Sequence, residues 1–217
     1  RQRQMCIRDR LGKQNRQRAE QILGNSAGLL VLFSVILTAF FSIFKTPVLY
    51  AFGASDATIV YARDYISIYL IGTIFVQLAL GLNAYISGQG AAKIAMLSVL
   101  IGAVLNICLD PLFIFVMHMG VRGAAVATVL SQAVSAIWVV HFLVSEKSVM
   151  RLALKNMHLK KDVIKMIAGL GISPFIMQST ESLVTITLNT GLQRYGGDLY
   201  VGSMSILMSC LLYTSDA

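Results

Sequence analysis

Charge is what this 217-residue chain has least of. Only 13% of its residues are Asp, Glu, Lys or Arg, where a soluble domain carries about 25%. The shortage is uneven: long uncharged runs alternate with short charged ones, the pattern of a polytopic helical membrane protein. Strict apolar–polar alternation over ~10-residue segments is missing, which excludes a transmembrane β-barrel. Cysteine is scarce as well. Cys6, Cys108 and Cys210 show neither paired nor metal-like spacing, so a disulfide scaffold and a zinc site are excluded. The sequence holds no phosphate-cradling glycine loop, no Ser–His–Asp arrangement and no HExxH motif, so neither an enzyme nor a cofactor is expected.

What fills the chain instead is apolar side chain, 56% of it, with a mean hydropathy of +0.72. Six apolar spans follow one another. The first covers Asn25–Phe44, the second Tyr65–Ile86, the third Ile94–Met117 and the fourth Gly123–Val144. The fifth covers Met166–Thr190, and the sixth starts near Leu199. Each approaches the ~20 residues that cross a bilayer core. Each is expected to be helical, because lipid offers no partner for bare backbone groups. The connections carry turn chemistry: Pro47, Gly53 and Ser55–Asp56 in 46–64, "SGQGAAK" in 87–93, "HMGVRG" in 118–123 and "RYGGD" in 194–198. The connection 145–165 is longer, basic and partly amphipathic, and is expected to lie along the membrane surface.

The two ends read differently from the rest. "RQRQMCIRDR" (1–10) and "CLLYTSDA" (210–217) look like translated sequencing-adapter read-through and are set aside as non-native ends. The native part is then expected to be an internal fragment.

Net charge is +8 and the isoelectric point about 9.6. In a soluble chain that would point to nucleic acid; here the basic residues gather between the spans and report topology. The first, third and fifth connections hold Lys13, Arg16, Arg18, Lys93, Lys147, Arg151, Lys155, Lys160, Lys161 and Lys165. The second, fourth and sixth hold only Lys45, Arg63, Arg122 and Arg194. The excess places the richer set, with linker 145–165, in the cytoplasm.

Against this background Asp110 stands out, since a charge at mid-bilayer costs ~2.5–3.5 kcal/mol on insertion scales. Asn106 lies one turn away on the same helical face, and together they offer the hard oxygen ligands of a small cation or proton site. Pro111 removes a backbone donor beside them and loosens the helix locally. Counted from a turn centred near Gly120, Asp110 matches Thr128 in depth and Asn106 matches Gln132, to within ~3 Å at 1.5 Å per residue. Two antiparallel helices can therefore present Asn106, Asp110, Thr128 and Gln132 as one polar cluster. Small residues along the fourth span (Gly123, Ala124, Ala127, Ser131, Ser135) permit close helix approach. The cluster reads as an ion or proton site, as a hydrogen-bonded knot locking two helices, or as an interfacial break at Asp110–Pro111. A second stripe, Gln178, Glu181, Thr185 and Asn189, follows one face of the fifth span, with a kink expected at Pro174. It reads equally as a water-accessible cavity or as interhelical hydrogen bonding.

These residues sit in stretches that resemble the MATE (multidrug and toxic compound extrusion) family. They include "GLNAYISGQGAAKIAMLSVLIGAVLNICLDPLFIF" (81–115), "MGVRGAAVATVLSQ" (119–132) and "LGISPFIMQSTESL" (170–183), with "LGKQNRQRAEQILGNS" (11–26) and "LYAFGASDATIVYARDYISI" (49–68) before them. The succession of "GQG", "NICLDP" and "GVRGAAVAT" is the specific part. The resemblance implies a twelve-helix, two-lobe, all-α bundle, of which this chain holds helices three to seven and part of eight. It implies an N-terminal-lobe portion over 11–144, an inter-lobe linker over 145–165 and the start of the C-terminal lobe over 166–209.

The resemblance also implies antiport of organic, often cationic, compounds against Na+ or H+ in the bacterial cytoplasmic membrane, by a protein that works as a monomer when full length. Asn106, Asp110 and Thr128 fall on family positions of a cation site whose further acidic ligand comes from the absent first helix; Glu181 falls on an acidic position of the seventh. The partners implied are small organic substrates and the lipid bilayer. A lipid-linked saccharide flippase of the same superfamily is the nearer alternative, and a structural polar cluster in a non-transport membrane protein the further one. The flippase needs cationic cavity residues for a pyrophosphate, and no Arg or Lys falls inside the spans as drawn.

Overall fold

A computed structural model describes the backbone of residues 16–153 and 160–215. The end 1–10 with Cys6, the basic residues Lys13 and Lys155, the linker residues 154–159 and the last two residues lie outside the described part. The described residues form helices α1 (Arg16–Ala51), α2 (Ile59–Gly88), α3 (Ala92–Pro111), α4 (Val121–Val144) and α5 (Lys161–Ser215). The π-helical segment Leu112–Val116 continues α3. All five helices are long and apolar enough to cross a membrane, so this is an all-α, multi-pass membrane protein.

The helices outrun the apolar spans because hydropathy marks the hydrocarbon and not the end of the helix. α1 continues past Phe44 to Ala51 with Pro47 inside it. Lys45 is therefore within a helix, as are Arg63, Lys93, Arg122 and Arg194 in the others, while the apolar spans themselves hold no Lys or Arg. Lys45 lies about 16 Å from the middle of the run 25–44, at the edge of a ~30 Å core, and its Nζ donates to Ser67 Oγ at 2.8 Å. Pro111 does end regular α-helix: the next five residues adopt the wider π turn, and Met117 N donates to Leu112 O at 2.9 Å.

The fifth and sixth spans are the two helical segments of α5, and the expected turn "RYGGD" between them is a break at Gly197, whose backbone is non-helical (φ 70°, ψ −168°). Such angles are open to glycine and closed to bulkier residues. Pro174, where a kink is expected, sits inside the first of these segments.

α2 is the central helix, packed on α1, α3 and α4. Its approach to α4 is close enough that a Cβ at Gly72 would sit 2.4 Å from a Val129 methyl. At one end a dry core gathers Leu23, Leu82, Tyr85, Ile86, Val139 and Leu143, with Tyr85 Oη donating to Ser26 Oγ. The described part of the linker, 145–153, is non-helical and folds onto this end, with Met150 fully buried. Its backbone finds partners in the bundle. Gln89 Oε1, in the "GQG" turn, accepts from Val149 N at 2.9 Å, Met150 N at 3.2 Å and Ser148 Oγ at 3.0 Å. Leu152 N donates to Leu143 O at 2.9 Å.

Candidate functional site

α3 and its π extension run from Ala92 to Val116, so Asp110 is about 9 Å from the middle of that span, inside a core that extends ~15 Å either way. The helix continues past Asp110 through the π-helical segment to Val116. Asn106 Nδ2 donates to Asp110 Oδ1 at 3.1 Å, and both residues are partly buried.

Across from them a cleft of about 170 Å³ opens between α2, α3 and α4. Asn106, Thr128 and Gln132 all line it, as depth matching through Gly120 expects. Asp110 does not line it and joins the cluster through Asn106. The rest of the cleft's polar lining is Ser98, Ser131 and Ser135, all buried. Sequence reasoning took Ser131 and Ser135 as small residues for packing and passed over Ser98. The available signal was spacing, since Thr128, Gln132 and Ser135 recur at four and three residues, one face of a helix.

The Glu181 stripe divides. Glu181, Thr185 and Asn189, with Met177 beside them, line a groove of about 630 Å³ between the two segments of α5, and Met204 and Met208 line it from the second segment. Gln178 stays outside the groove and donates through Nε2 to Glu181 Oε2 at 2.7 Å. Asn189 also reaches the N-terminal part of the chain, its Nδ2 donating to Phe52 O at 3.3 Å. So one end of the stripe is groove wall and the other is interhelical hydrogen bonding. Neither the cleft nor the groove is lined by Lys or Arg. A carboxylate with soft, polarisable thioethers offers a place for an amphipathic cation.

Between the α1–α2 connection and α5 runs a polar seam. Ser55 Oγ donates to Asp198 Oδ2 at 2.9 Å, Thr190 Oγ1 donates to Ala51 O at 3.2 Å, and Gln193 Nε2 donates to Asp198 Oδ1 at 3.0 Å. Gly53 sits in the seam at φ +92°, where a Cβ would come within 3.0 Å of Asn189 Cβ.

Set beside known proteins, residues 6–112 match the MatE family profile. The multidrug export protein MepA of Staphylococcus aureus (strain bovine RF122 / ET3-1) is 28% identical over 173 residues, 80% of this chain and 37% of the relative. The protein of the same name from Staphylococcus haemolyticus (strain JCSC1435) is 29% identical over 143 residues, 66% of this chain and 32% of the relative. Among solved structures, the inward-facing conformation of a multidrug resistance MATE family transporter of the MOP superfamily superposes with a TM-score of 0.85 at 27% identity. That match covers 91% of this chain and 45% of the solved one. The chain thus spans about a third of the length of these two relatives and under half of the solved transporter.

Proposed function

Because the chain belongs to the MatE family, we propose that it is part of a secondary antiporter that exports amphipathic, often cationic, organic compounds against Na+ or H+. The observation that carries this reading is the Asn106–Asp110 pair, hydrogen-bonded at 3.1 Å within a helix long and apolar enough to cross a membrane, beside a cleft that Thr128 and Gln132 also line. An intramembrane carboxylate with oxygen-bearing neighbours is the arrangement a transported cation or proton needs.

In this mechanism a cation or proton binds at Asp110 with Asn106 and Thr128 and stabilises one packing of the N-terminal lobe over another. The organic compound prefers the other packing and lies in the groove of Glu181, Thr185 and Asn189. The two ligands need not touch; each has only to favour a different state. The flippase reading needs basic groups for a pyrophosphate. Lys45 donates to Ser67 at the edge of the membrane core and lines neither the cleft nor the groove. The protein works as a monomer in the bacterial cytoplasmic membrane, with linker 145–165 on the cytoplasmic side.

The test is Asp110→Asn in the full-length protein reconstituted into vesicles, with ethidium efflux driven by an imposed Na+ or pH gradient. Gradient-driven efflux is lost while the variant still inserts and binds ethidium. Efflux at the wild-type rate would sink the mechanism.

A further inference from the structure

The polar groups that line the cleft beside Asp110 are mostly acceptors, and the reason lies in where each hydroxyl proton goes. Thr128 Oγ1 donates to Ala124 O at 2.9 Å and Ser131 Oγ to Ala127 O at 2.8 Å, each within its own helix. Ser135 Oγ crosses to α3 and donates to Ser98 O at 3.0 Å. Ser98 Oγ has its single proton engaged as well, with Ala95 O at 2.8 Å and Asn83 Oδ1 at 3.1 Å. The Asn106 amide donates to Asp110, which leaves its Oδ1 as an acceptor. A hydroxyl carries one donor and two lone pairs. With their donors spent on protein carbonyls, these hydroxyls have only lone pairs left to offer. Gln132 and the second N–H of Asn106 are the amide donors that remain in the lining.

Resting on the antiport reading above, we propose that Ser98, Ser131 and Ser135 form an inner arm of the cation pathway. It runs about 10 Å from Thr128 toward the end of α4 that meets the linker, the rise of the seven residues to Ser135. The arm takes a small monovalent cation or a hydrated proton and disfavours an anion, because its three serines present oxygen lone pairs while their O–H groups are engaged. Gly102 is its neck, since a Cβ there would fall 2.4 Å from Ser135 Oγ. Beyond Ser98 the apolar residues Ala95, Val139 and Leu143 close the end, so release through the arm requires that dry core to part.

The test uses the full-length protein in vesicles, with ethidium efflux followed against Na+ concentration or pH. Ser131→Ala removes one wall oxygen and leaves the contacts between α3 and α4 in place. It raises the cation concentration for half-maximal efflux about tenfold, the weight of one hydrogen-bonding partner to a charged group. Gly102→Ala pushes Ser135 Oγ into the neck and slows efflux at saturating cation, with ethidium affinity unchanged. A purely structural role for these residues would lower the amount of active protein and leave the half-maximal cation concentration where it was. That result for Ser131→Ala, or unchanged efflux per active protein in Gly102→Ala, would overturn the inner arm. If Asp110→Asn also abolishes efflux, the antiport reading survives and only the arm falls; if Asp110→Asn transports normally, the antiport reading itself fails.

Discussion

Asp110 and Gln89 show how a single side chain carries very different loads in this chain. Asp110 is tolerable at hydrocarbon depth because Asn106 meets it at 3.1 Å, and the cost of a carboxylate there is offset by partners and water and not by burial in apolar packing. Removing its charge therefore affects transport before stability. Gln89 does the reverse. Its one carbonyl oxygen receives three donors from the linker, at 2.9, 3.0 and 3.2 Å, while its Nε2 is buried without a partner among the described residues. Gln89→Leu leaves those linker donors without their acceptor and loosens the attachment by about 1–2 kcal/mol, which speeds trypsin cleavage at Lys147 and Arg151 roughly 5- to 30-fold. Unchanged cleavage in the full-length variant would show that the linker is held elsewhere. The sequence marks "GQG" as a turn. Nothing in it tells that the Gln reaches residues sixty positions away.

At the level of elements, what local chemistry dictates was legible and what distant contacts dictate was not. Apolar runs located every helix, and the turn at Gly120 set α3 and α4 in the register that brings Asn106 and Thr128 to one cleft. The helix ends were misplaced because α1 keeps its backbone bonds beyond the hydrocarbon, through Lys45 and Pro47 to Ala51. The seam between the α1–α2 connection and α5 was not foreseen. Its pairs, Ser55 with Asp198 and Asn189 with Phe52, join residues more than a hundred positions apart. That seam makes its own prediction. Gly53→Ala places a Cβ at φ +92° within 3.0 Å of Asn189, a left-handed geometry that costs about 1–2 kcal/mol for a residue with a side chain. Spin labels at the exposed Ala57 and Tyr195 of the full-length protein then show longer separations more often than in the parent. An unchanged distance distribution would mean the seam does not hold the two parts together.

For the whole molecule, the described helices divide into a packed group, α1 to α4, and α5, which contacts α1 but leaves most of its middle exposed. Large apolar side chains such as Ile71, Ile107, Phe115 and Phe175 are each at least 70% exposed, an arrangement suited to lipid or to further helices and not to water. The chain covers 45% of the solved transporter it superposes on. The central claim is that a cation held by Asp110 and an organic compound held elsewhere favour opposite states of the full-length protein. Linkage requires each ligand to weaken the other by the same factor. The most direct measurement is the Na+ or H+ released when saturating ethidium is added to the purified full-length protein, read with an ion-selective electrode or a pH dye. The parent protein releases cation on ethidium binding, and Asp110→Asn binds ethidium and releases none. Equal release from both proteins would contradict the account.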